Sequence, residues 1–117
     1  MKGKGDSMEK YIPLINQKEC CKIWLNDILY LENEARKIHI VTTKGTYCKY
    51  AKLSELEPYF RGETRFFSAM KRLIINFDHV RAMKNQVIYF NNGTEYSLGR
   101  ANYLRTKQKF VGYLRSL

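Results

Sequence analysis

The chain of 117 residues is 44% hydrophobic and 14% aromatic, and it lacks any long apolar run, which together exclude a disordered chain and a membrane-spanning helix. Its formal net charge is +10, and residues 61–117 hold eleven Lys and Arg against three acidic residues, so the excess lies mainly in that half. This asymmetry favours a polyanionic partner, with nucleic acid ahead of an anionic membrane surface.

The start of the chain and its cysteines indicate where the protein works. Residues 1–9 are charged and lack an apolar core, so we expect a flexible tail or a cloning remnant there and a single domain over residues 10–117. Cys20 and Cys21 are adjacent and Cys48 makes the total odd, a pattern that suits neither a disulfide framework nor a zinc site. We therefore expect reduced thiols at strand positions in a cytoplasmic protein.

The first predicted elements are strands. The segment KIWLNDILYLENE predicts two strands separated by a turn at Asn26-Asp27. The segment RKIHIVTTKGTYCKY predicts a hairpin around Lys44-Gly45. Alternate strand residues lie on opposite faces, so Ile38 and Ile40 should share one face while His39 lies on the other.

The middle of the chain changes period. KLSELEPYF predicts a short helix, in which Ser54 and Glu57 match a capping box and Pro58 limits the length to a turn or two. The next segment, RFFSAMKRLIINFDHV, has its apolar residues in blocks, which fits either a buried strand or a short helix at SAMKRLII. Asn76 and Asp78 are expected to be structural, capping a turn after LII, rather than contacting DNA.

The last third predicts further strands and one longer helix. VRAMKNQVIYF and TEYSLG predict strands, and Asn92-Gly93 between them predicts a type I′ hairpin turn. The final segment predicts a helix with a mostly apolar stripe formed by Tyr103, Leu104, Lys107, Phe110, Val111 and Leu114. The elements together predict a mainly β fold with short helices and a C-terminal helix.

The polar residues offer little for catalysis. The chain has no G-x-S-x-G, H-E-x-x-H or Walker-type motif. Its two histidines, His39 and His79, are expected to be structural. We therefore expect no enzymatic activity, no metal and no cofactor.

Basic and amide side chains at several places are candidate nucleic-acid ligands. Lys and Arg neutralise phosphates, and Arg, Lys and Asn form paired hydrogen bonds with base edges. The candidate DNA-binding residues are Arg36, Lys37, His39, Lys52, Lys71, Arg72, Arg100, Asn102 and Arg105. A β-rich RNA-binding module is the alternative, because nine tyrosines leave room for base stacking on a sheet, although no RNP-like run is present. A domain that binds other polyanions or a membrane surface ranks third.

Four motifs follow one another in a fixed order: DILYLE at 27–32, L-x-E-L at 53–56, the RFF and IIN spacing at 65–76, and NNG before the last strand. In this order they resemble the LytTR DNA-binding domain family, the output domains of LytR/AlgR-type bacterial transcription regulators. The resemblance covers roughly residues 22–114. It implies an elongated set of small antiparallel sheets with short connecting helices, and loops inserted into successive major grooves of double-stranded DNA. It also implies paired repeat sites, each holding one copy of the domain, with no membrane involved.

The family's contact positions fall unevenly on this chain. Through the resemblance, Lys71 takes a base-contacting place with Arg72 beside it, and Arg100 keeps the arginine at the corner before the last helix. Another base-contacting place falls on Ile38, whose side chain makes no polar contact. That contact would pass to one of its neighbours, Arg36, Lys37 or His39.

The resemblance also implies a role for the last hairpin. The hairpin would aim the corner at residues 99–102 toward DNA, and the last helix would brace this corner through Phe110 and Leu114. Most family members carry an N-terminal receiver domain, and residues 1–20 are too short to hold one. The chain is expected to be either an excised output domain of a two-component response regulator or a free-standing regulator.

Overall fold

The computed structural model describes residues 9–117, so the predicted tail lies outside the described residues except for its last position. The strands are β1 (Tyr11–Ile15), β2 (Cys20–Trp24), β3 (Ile28–Glu34), β4 (Lys37–Thr42), β5 (Gly45–Tyr50), β6 (Phe66–Met70), β7 (Leu73–Asn76), β8 (Val80–Lys84), β9 (Val87–Phe90) and β10 (Glu95–Ser97). The helices are α1 (Glu57–Phe60), which continues a 3₁₀ segment at Leu53–Leu56, and α2 (Arg100–Arg115). Two further 3₁₀ turns lie at Leu25–Asp27 and Phe77–His79.

The strands form three antiparallel sheets. β1 pairs with β2, a second sheet has the order β10-β9-β8, and the central sheet has five strands in the order β5-β4-β3-β7-β6. The body measures 41 × 40 × 25 Å, so it is extended in two directions and thin in the third. The prediction of a mainly β fold with small antiparallel sheets, short helices and a C-terminal helix is confirmed.

The central sheet contains the hairpin predicted around Lys44-Gly45. β4 pairs with β5 so that Thr42 lies opposite Gly45. The alternation places Ile38 and Ile40 in the core, both fully buried, while His39 is half-buried on the other face. The predicted hairpin and the faces of its first strand are confirmed.

The ambiguous segment RFFSAMKRLIINFDHV forms a second hairpin. β6 and β7 pair with each other, and Lys71-Arg72 is the turn between them. Leu73 and Ile75 are both fully buried at a spacing of two residues, which is the spacing of a strand face and not of a helix face. The strand alternative is therefore correct, and the helix at SAMKRLII is wrong.

Two apolar cores lie on the two sides of the central sheet. One is covered by the β1–β2 hairpin and the segment that ends in α1, and it contains Ile12, Ile23, Leu31 and Leu53 among its buried residues. The other is covered by the three-stranded sheet and α2, and it contains Ile75, Phe77, Phe90, Tyr103 and Phe110. The inner strands of the central sheet are thus held between two apolar layers, whereas the edge strand β5 is largely exposed.

The buried face of α2 differs from the predicted stripe. Tyr103, Thr106 and Phe110 are buried, whereas Leu104 and Leu114 are each 50% exposed. Phe110 packs against Phe77 at a distance of 5.4 Å between the ring centres, which anchors α2 in this core. The role predicted for Leu114 is wrong, because the face of α2 that packs on the core contains Tyr103, Thr106 and Phe110 and leaves Leu114 half exposed.

The helical segment before β6 begins earlier than predicted. The backbone N–H of Lys52 donates to the Glu55 carboxylate at 3.4 Å, and the N–H of Glu55 donates to the carbonyl of Lys52 at 2.9 Å. The cap therefore lies at Lys52, and the predicted box of Ser54 and Glu57 is wrong because Ser54 lies inside the 3₁₀ segment. Pro58 occupies the first turn of α1, where a backbone N–H has no partner within the helix, so the proline costs no hydrogen bond.

The type I′ turn of the three-stranded sheet lies in a different hairpin from the one predicted. Between β9 and β10 only Gly93 has a positive φ, of 94°, and its N–H donates to the carbonyl of Phe90 at 3.0 Å. The predicted type I′ turn at Asn92-Gly93 is therefore wrong, because that turn needs positive φ at both central residues. The β8–β9 turn has this property instead, with φ of 53° at Asn85 and 66° at Gln86.

Asn76 and His79 join the end of β7 to the start of β3. Asn76 is fully buried, and its amide donates to the carbonyl of Ile28 at 2.9 Å and accepts from the N–H of Asp78 at 3.0 Å. His79 Nε2 lies 2.6 Å from the carbonyl oxygen of Asn26. The prediction that Asn76 caps a turn after LII is confirmed, whereas Asp78 contributes its backbone to that cap and its carboxylate to other partners.

The contact of Tyr113 with Asp78 predicts a loss of stability in alkali. Burial, followed by the hydrogen bond that its hydroxyl donates to Asp78, raises the pKa of Tyr113 to about 12. The folded state therefore favours the neutral phenol, and this contribution is complete below about pH 10 and lost between about pH 10 and pH 12. Tyr113→Phe should lower the free energy of unfolding at about pH 8 and by less at about pH 11, as measured by urea unfolding. An equal difference at both pH values would contradict this.

Candidate nucleic-acid interface

Strand direction brings two basic turns to the same end of the central sheet. The β3–β4 turn contains Arg36, and the β6–β7 turn consists of Lys71 and Arg72. β3 is antiparallel to both β4 and β7, so both turns lie where β3 ends. The backbone N–H of Asn33 donates to the carbonyl of Arg72 at 2.9 Å, which fixes one turn beside the other.

Two more segments reach this end. β5 finishes there with Tyr50 opposite Lys37, and Lys52 follows it. α2 starts there, because Asn102 Nδ2 lies 3.9 Å from the Met70 sulfur at the end of β6. We call this surface the basic end, and its members are Arg36, Lys37, Lys52, Lys71, Arg72, Arg100 and Asn102.

Several ion pairs lie at the opposite end of the central sheet. Lys44 in the β4–β5 turn has its Nζ 3.3 Å from the Asp27 carboxylate. Arg65 contacts the carboxylates of Glu63 at 3.2 Å and Asp78 at 3.5 Å. Across residues 9–117, by contrast, no ion pair involves a cation of the basic end. Those charges are left for an external anion.

Two carboxylates near the end of β3 already have partners within the protein. Glu32 accepts a hydrogen bond from the Tyr96 hydroxyl, which joins the central sheet to β10. Burial and this bond raise the pKa of Tyr96, while the nearby charge of Arg72 acts in the opposite direction. Glu34 lies 3.1 Å from His39 Nε2. Both carboxylates therefore have partners other than the cations of the basic end.

Two predicted site residues are occupied by the protein itself. Arg105 donates to the carbonyl oxygens of Ser68, at 3.2 Å, and Ala69, and its guanidinium lies 5.3 Å from the Phe67 ring centre. The two ring nitrogens of His39 face Glu34 and Cys48. Arg105 therefore fixes the start of α2 against β6, and His39 is less available to a ligand than Arg36 or Lys37.

The start of α2 adds a second feature suited to phosphate. Gly99 precedes the helix in extended conformation and supplies no side-chain cap, and the first turn contains no acidic residue. The N–H groups of a helix's first turn lack partners within the helix, and its dipole favours an anion there. The exposed Arg100 lies at the same place.

The β8–β9 turn is a part of this surface that the sequence analysis did not single out. The N–H of Leu98 donates to the carbonyl of Gln86 at 2.9 Å, and Gln86 Nε2 donates to the carbonyl of Leu98 at 3.1 Å. These bonds hold Lys84 and Asn85, both exposed, beside the corner at Arg100. The available signal was the polar run KNQ between two alternating segments, which marks a two-residue turn.

Exposed aromatic rings do not form a continuous surface. Of the tyrosines in the described part of the chain, only Tyr50, at 80%, and Tyr11, at 39%, are exposed. Tyr11 packs against Trp24 in the two-stranded sheet, whereas Tyr50 lies near Lys37 at the basic end. A row of bases stacked on a sheet needs several such rings together, so this arrangement favours duplex DNA over single-stranded RNA.

Neither a membrane helix nor a metal centre occurs in the described part of the chain. No helix between residues 9 and 117 is long and apolar enough to cross a membrane. The same residues contain no group of three or more His, Cys, Asp or Glu side chains placed to hold a metal ion.

Comparisons with known proteins identify a family and a similar fold. Residues 18–110 match the family model described as the LytTr DNA-binding domain. The fold is similar to the solved structure of a LytTr DNA-binding domain from Bacillus cereus, with a TM-score of 0.71 and 18% sequence identity over 88% of this chain and 97% of that one. A comparison with curated proteins finds no match. The matched range includes every member of the basic end.

Proposed function

This chain belongs to the LytTR DNA-binding domain family, and from that membership we propose that residues 10–117 act as one domain that binds specific duplex sequences in bacterial transcription regulation. The observation that carries the proposal is the basic end, where cations on adjacent turns have no carboxylate partner among residues 9–117. A duplex places phosphates and base edges within reach of such turns without requiring a recognition helix.

The members of the basic end divide by position into two roles. Arg36, Lys37 and Lys52 lie at the β3–β4 turn and the end of β5, and we assign them to phosphate contacts. Lys71 and Arg100 lie on the β6–β7 turn and the helix corner, and we assign them to base edges in the major groove. Arg72 and Asn102 lie beside them and complete the contacts.

The proposal extends to the assembly on DNA. One basic end is small relative to a regulatory site, so two copies on paired repeats would supply the affinity and the specificity that such sites require. Double-stranded DNA is then the partner, and a second copy of the chain meets it only on that DNA. Chromosomal DNA as the partner and the free thiols both support the proposal of a cytoplasmic location.

The salt dependence of binding tests where DNA lies on the protein. Each phosphate contact contributes a slope of about −0.9 in log K against log salt concentration. Arg36→Gln should reduce the slope for a labelled duplex, measured by fluorescence anisotropy, by about one contact. Lys44→Gln is the matched control, because it removes the same charge from the opposite end, and its slope should equal that of the unaltered chain. Equal reductions in both variants would show that the basic end is not the binding surface.

A substitution in the β8–β9 turn tests its contact with DNA without destabilising the fold. Asn85 has a φ of 53°, which glycine adopts without strain, so Asn85→Gly should preserve or increase stability while removing the exposed amide. We expect a loss of about 1 kcal/mol in binding to a cognate duplex, the lower limit for one base contact. Urea unfolding and binding titrations measure the two effects. Unchanged affinity in the stable variant would remove Asn85 from the interface.

A further inference from the structure

Three side chains from adjacent strands form a hydrogen-bonded chain on one face of the central sheet. Cys48 Sγ lies 3.5 Å from His39 Nδ1, and His39 Nε2 lies 3.1 Å from Glu34 Oε1. When the ring proton is on Nε2, the imidazole donates to Glu34 and its Nδ1 accepts from the Cys48 thiol. This is the order of groups that activates a nucleophilic thiol: a sulfur, a base and a group that orients the base.

The pairing of the strands fixes this arrangement. Cys48 of β5 lies directly opposite His39 of β4, so their side chains project from the same face of the sheet. Glu34 is the last residue of β3 and reaches the ring from the other side. The other charged or titratable groups on this face are Glu32 opposite His39, Tyr30 two residues before Glu32, Lys37 two residues before His39, and Tyr50 two residues after Cys48. Tyr96 of β10 packs against this face through Glu32 and Tyr30.

The thiol is open to a small reagent. Cys48 is exposed on β5, which is an edge strand of the central sheet. The fold therefore leaves the Cys48 sulfur accessible to a small disulfide.

We propose that Cys48 is a modification site for low-molecular-weight disulfides, with His39 as the base and Glu34 as the residue that positions it. In the exchange, the Cys48 sulfur bonds to one sulfur of the disulfide and the original S–S bond breaks. The thiol proton passes to His39 Nδ1 and then to the departing thiolate, so His39 ends neutral. The product is a mixed disulfide at Cys48 and one free small thiol. This inference is independent of DNA binding.

The other two cysteines serve as internal references. Cys20 is exposed on β2, and within the described residues its thiol has no hydrogen-bond partner. Burial and the nearby Glu19 carboxylate raise the pKa of Cys21, which keeps it protonated at neutral pH. The proposal therefore predicts that Cys48 reacts first and Cys21 last.

Site-resolved alkylation of the full chain tests the proposal. Iodoacetamide forms an S–C bond with release of iodide, and mass spectrometry of peptides gives a rate for each cysteine as the pH is varied. We expect the rate at Cys48 to exceed that at Cys20 by about tenfold at neutral pH, because His39 accepts the thiol proton. Oxidised glutathione should form its mixed disulfide at Cys48 before the other two sites.

Two variants decide the roles of the partners. In the His39→Phe variant, the alkylation rate at Cys48 should depend on pH in the same way as the rate at Cys20. In the Glu34→Gln variant, the rate at Cys48 should fall, but its pH dependence should not become identical to that of Cys20. Glu34 is 77% exposed, so its replacement leaves the fold intact even where His39→Phe destabilises it. Coincident pH profiles for Cys20 and Cys48 in the unaltered chain, or an unchanged Cys48 rate in Glu34→Gln, would overturn the proposal.

Discussion

Replacement of Arg100 by alanine is expected to weaken binding to the cognate duplex by about 1–3 kcal/mol and to narrow the difference between cognate and unrelated DNA. Arg100 is exposed at the first position of α2, and its guanidinium forms no ion pair with a carboxylate of residues 9–117. A bidentate arginine contact with guanine supplies discrimination of this size. Lys71→Ala should behave in the same way, because Lys71 occupies the turn beside the start of this helix.

Titrations of each variant against cognate and scrambled duplex measure the effect. Lys44→Ala is the control, since its ammonium is already paired with Asp27 at the opposite end of the sheet. It should change both affinities by less than about 0.5 kcal/mol, as is usual for surface substitutions. If Arg100→Ala and Lys71→Ala both retain full discrimination, these residues do not read bases.

Asn76→Ala is expected to lower the free energy of unfolding by about 2–4 kcal/mol. Asn76 is fully buried, and its amide satisfies the carbonyl of Ile28 and the N–H of Asp78. Its removal leaves two backbone groups at a buried junction without partners, and each costs about 1–3 kcal/mol. Because this junction ties β7 to β3, the loss should be seen in cooperative urea unfolding of the whole domain.

Asn92→Ala is the matched control for this prediction. Asn92 also accepts a backbone N–H, that of Thr94 at 3.0 Å, but in an exposed turn where water replaces the bond. Its replacement should cost less than about 1 kcal/mol. Equal losses in the two variants would show that burial of Asn76 does not add to the stability.

Patterns with a period of two residues were enough to predict the central hairpin. Ile38 and Ile40 alternate with half-buried residues, and Lys44-Gly45 marks the turn, so strand and face follow from local sequence. β1 was not predicted, because its five residues include Pro13, which is tolerated only in a strand whose N–H edge is free. Short edge strands depend on their partner more than on their own composition.

Tertiary packing determined the features that local sequence patterns did not predict or predicted incorrectly. Thr106 is fully buried in α2 while Leu104 is half exposed, an inversion that hydrophobicity does not predict. The type I′ turn formed at Asn85-Gln86 and not at Asn92-Gly93, although glycine favours the latter. In both places the neighbouring β6 and β10 fix the geometry, and the sequence of the segment alone does not contain this information.

The candidate site was predicted in composition but not in arrangement. The sequence identified the cations, and the resemblance placed Lys71 and Arg100 in contact positions. The sheet order β5-β4-β3-β7-β6 then brought their turns to one end, and the pairing of Lys44 and Arg65 with carboxylates set apart the opposite end. The hydrogen bonds of Arg105 depend on the packing of α2 against β6, and those of His39 depend on the pairing of β3, β4 and β5, so the sequence did not predict them.

Selection from random duplex DNA at near-physiological salt tests the central claim most directly. The enriched duplex should then be titrated against a scrambled duplex and a single-stranded RNA. We expect one motif to emerge and to bind at least about 10³-fold more tightly than the scrambled duplex. If no motif is enriched and RNA binds as tightly as DNA, the chain shares the fold of its family but does not read duplex sequence.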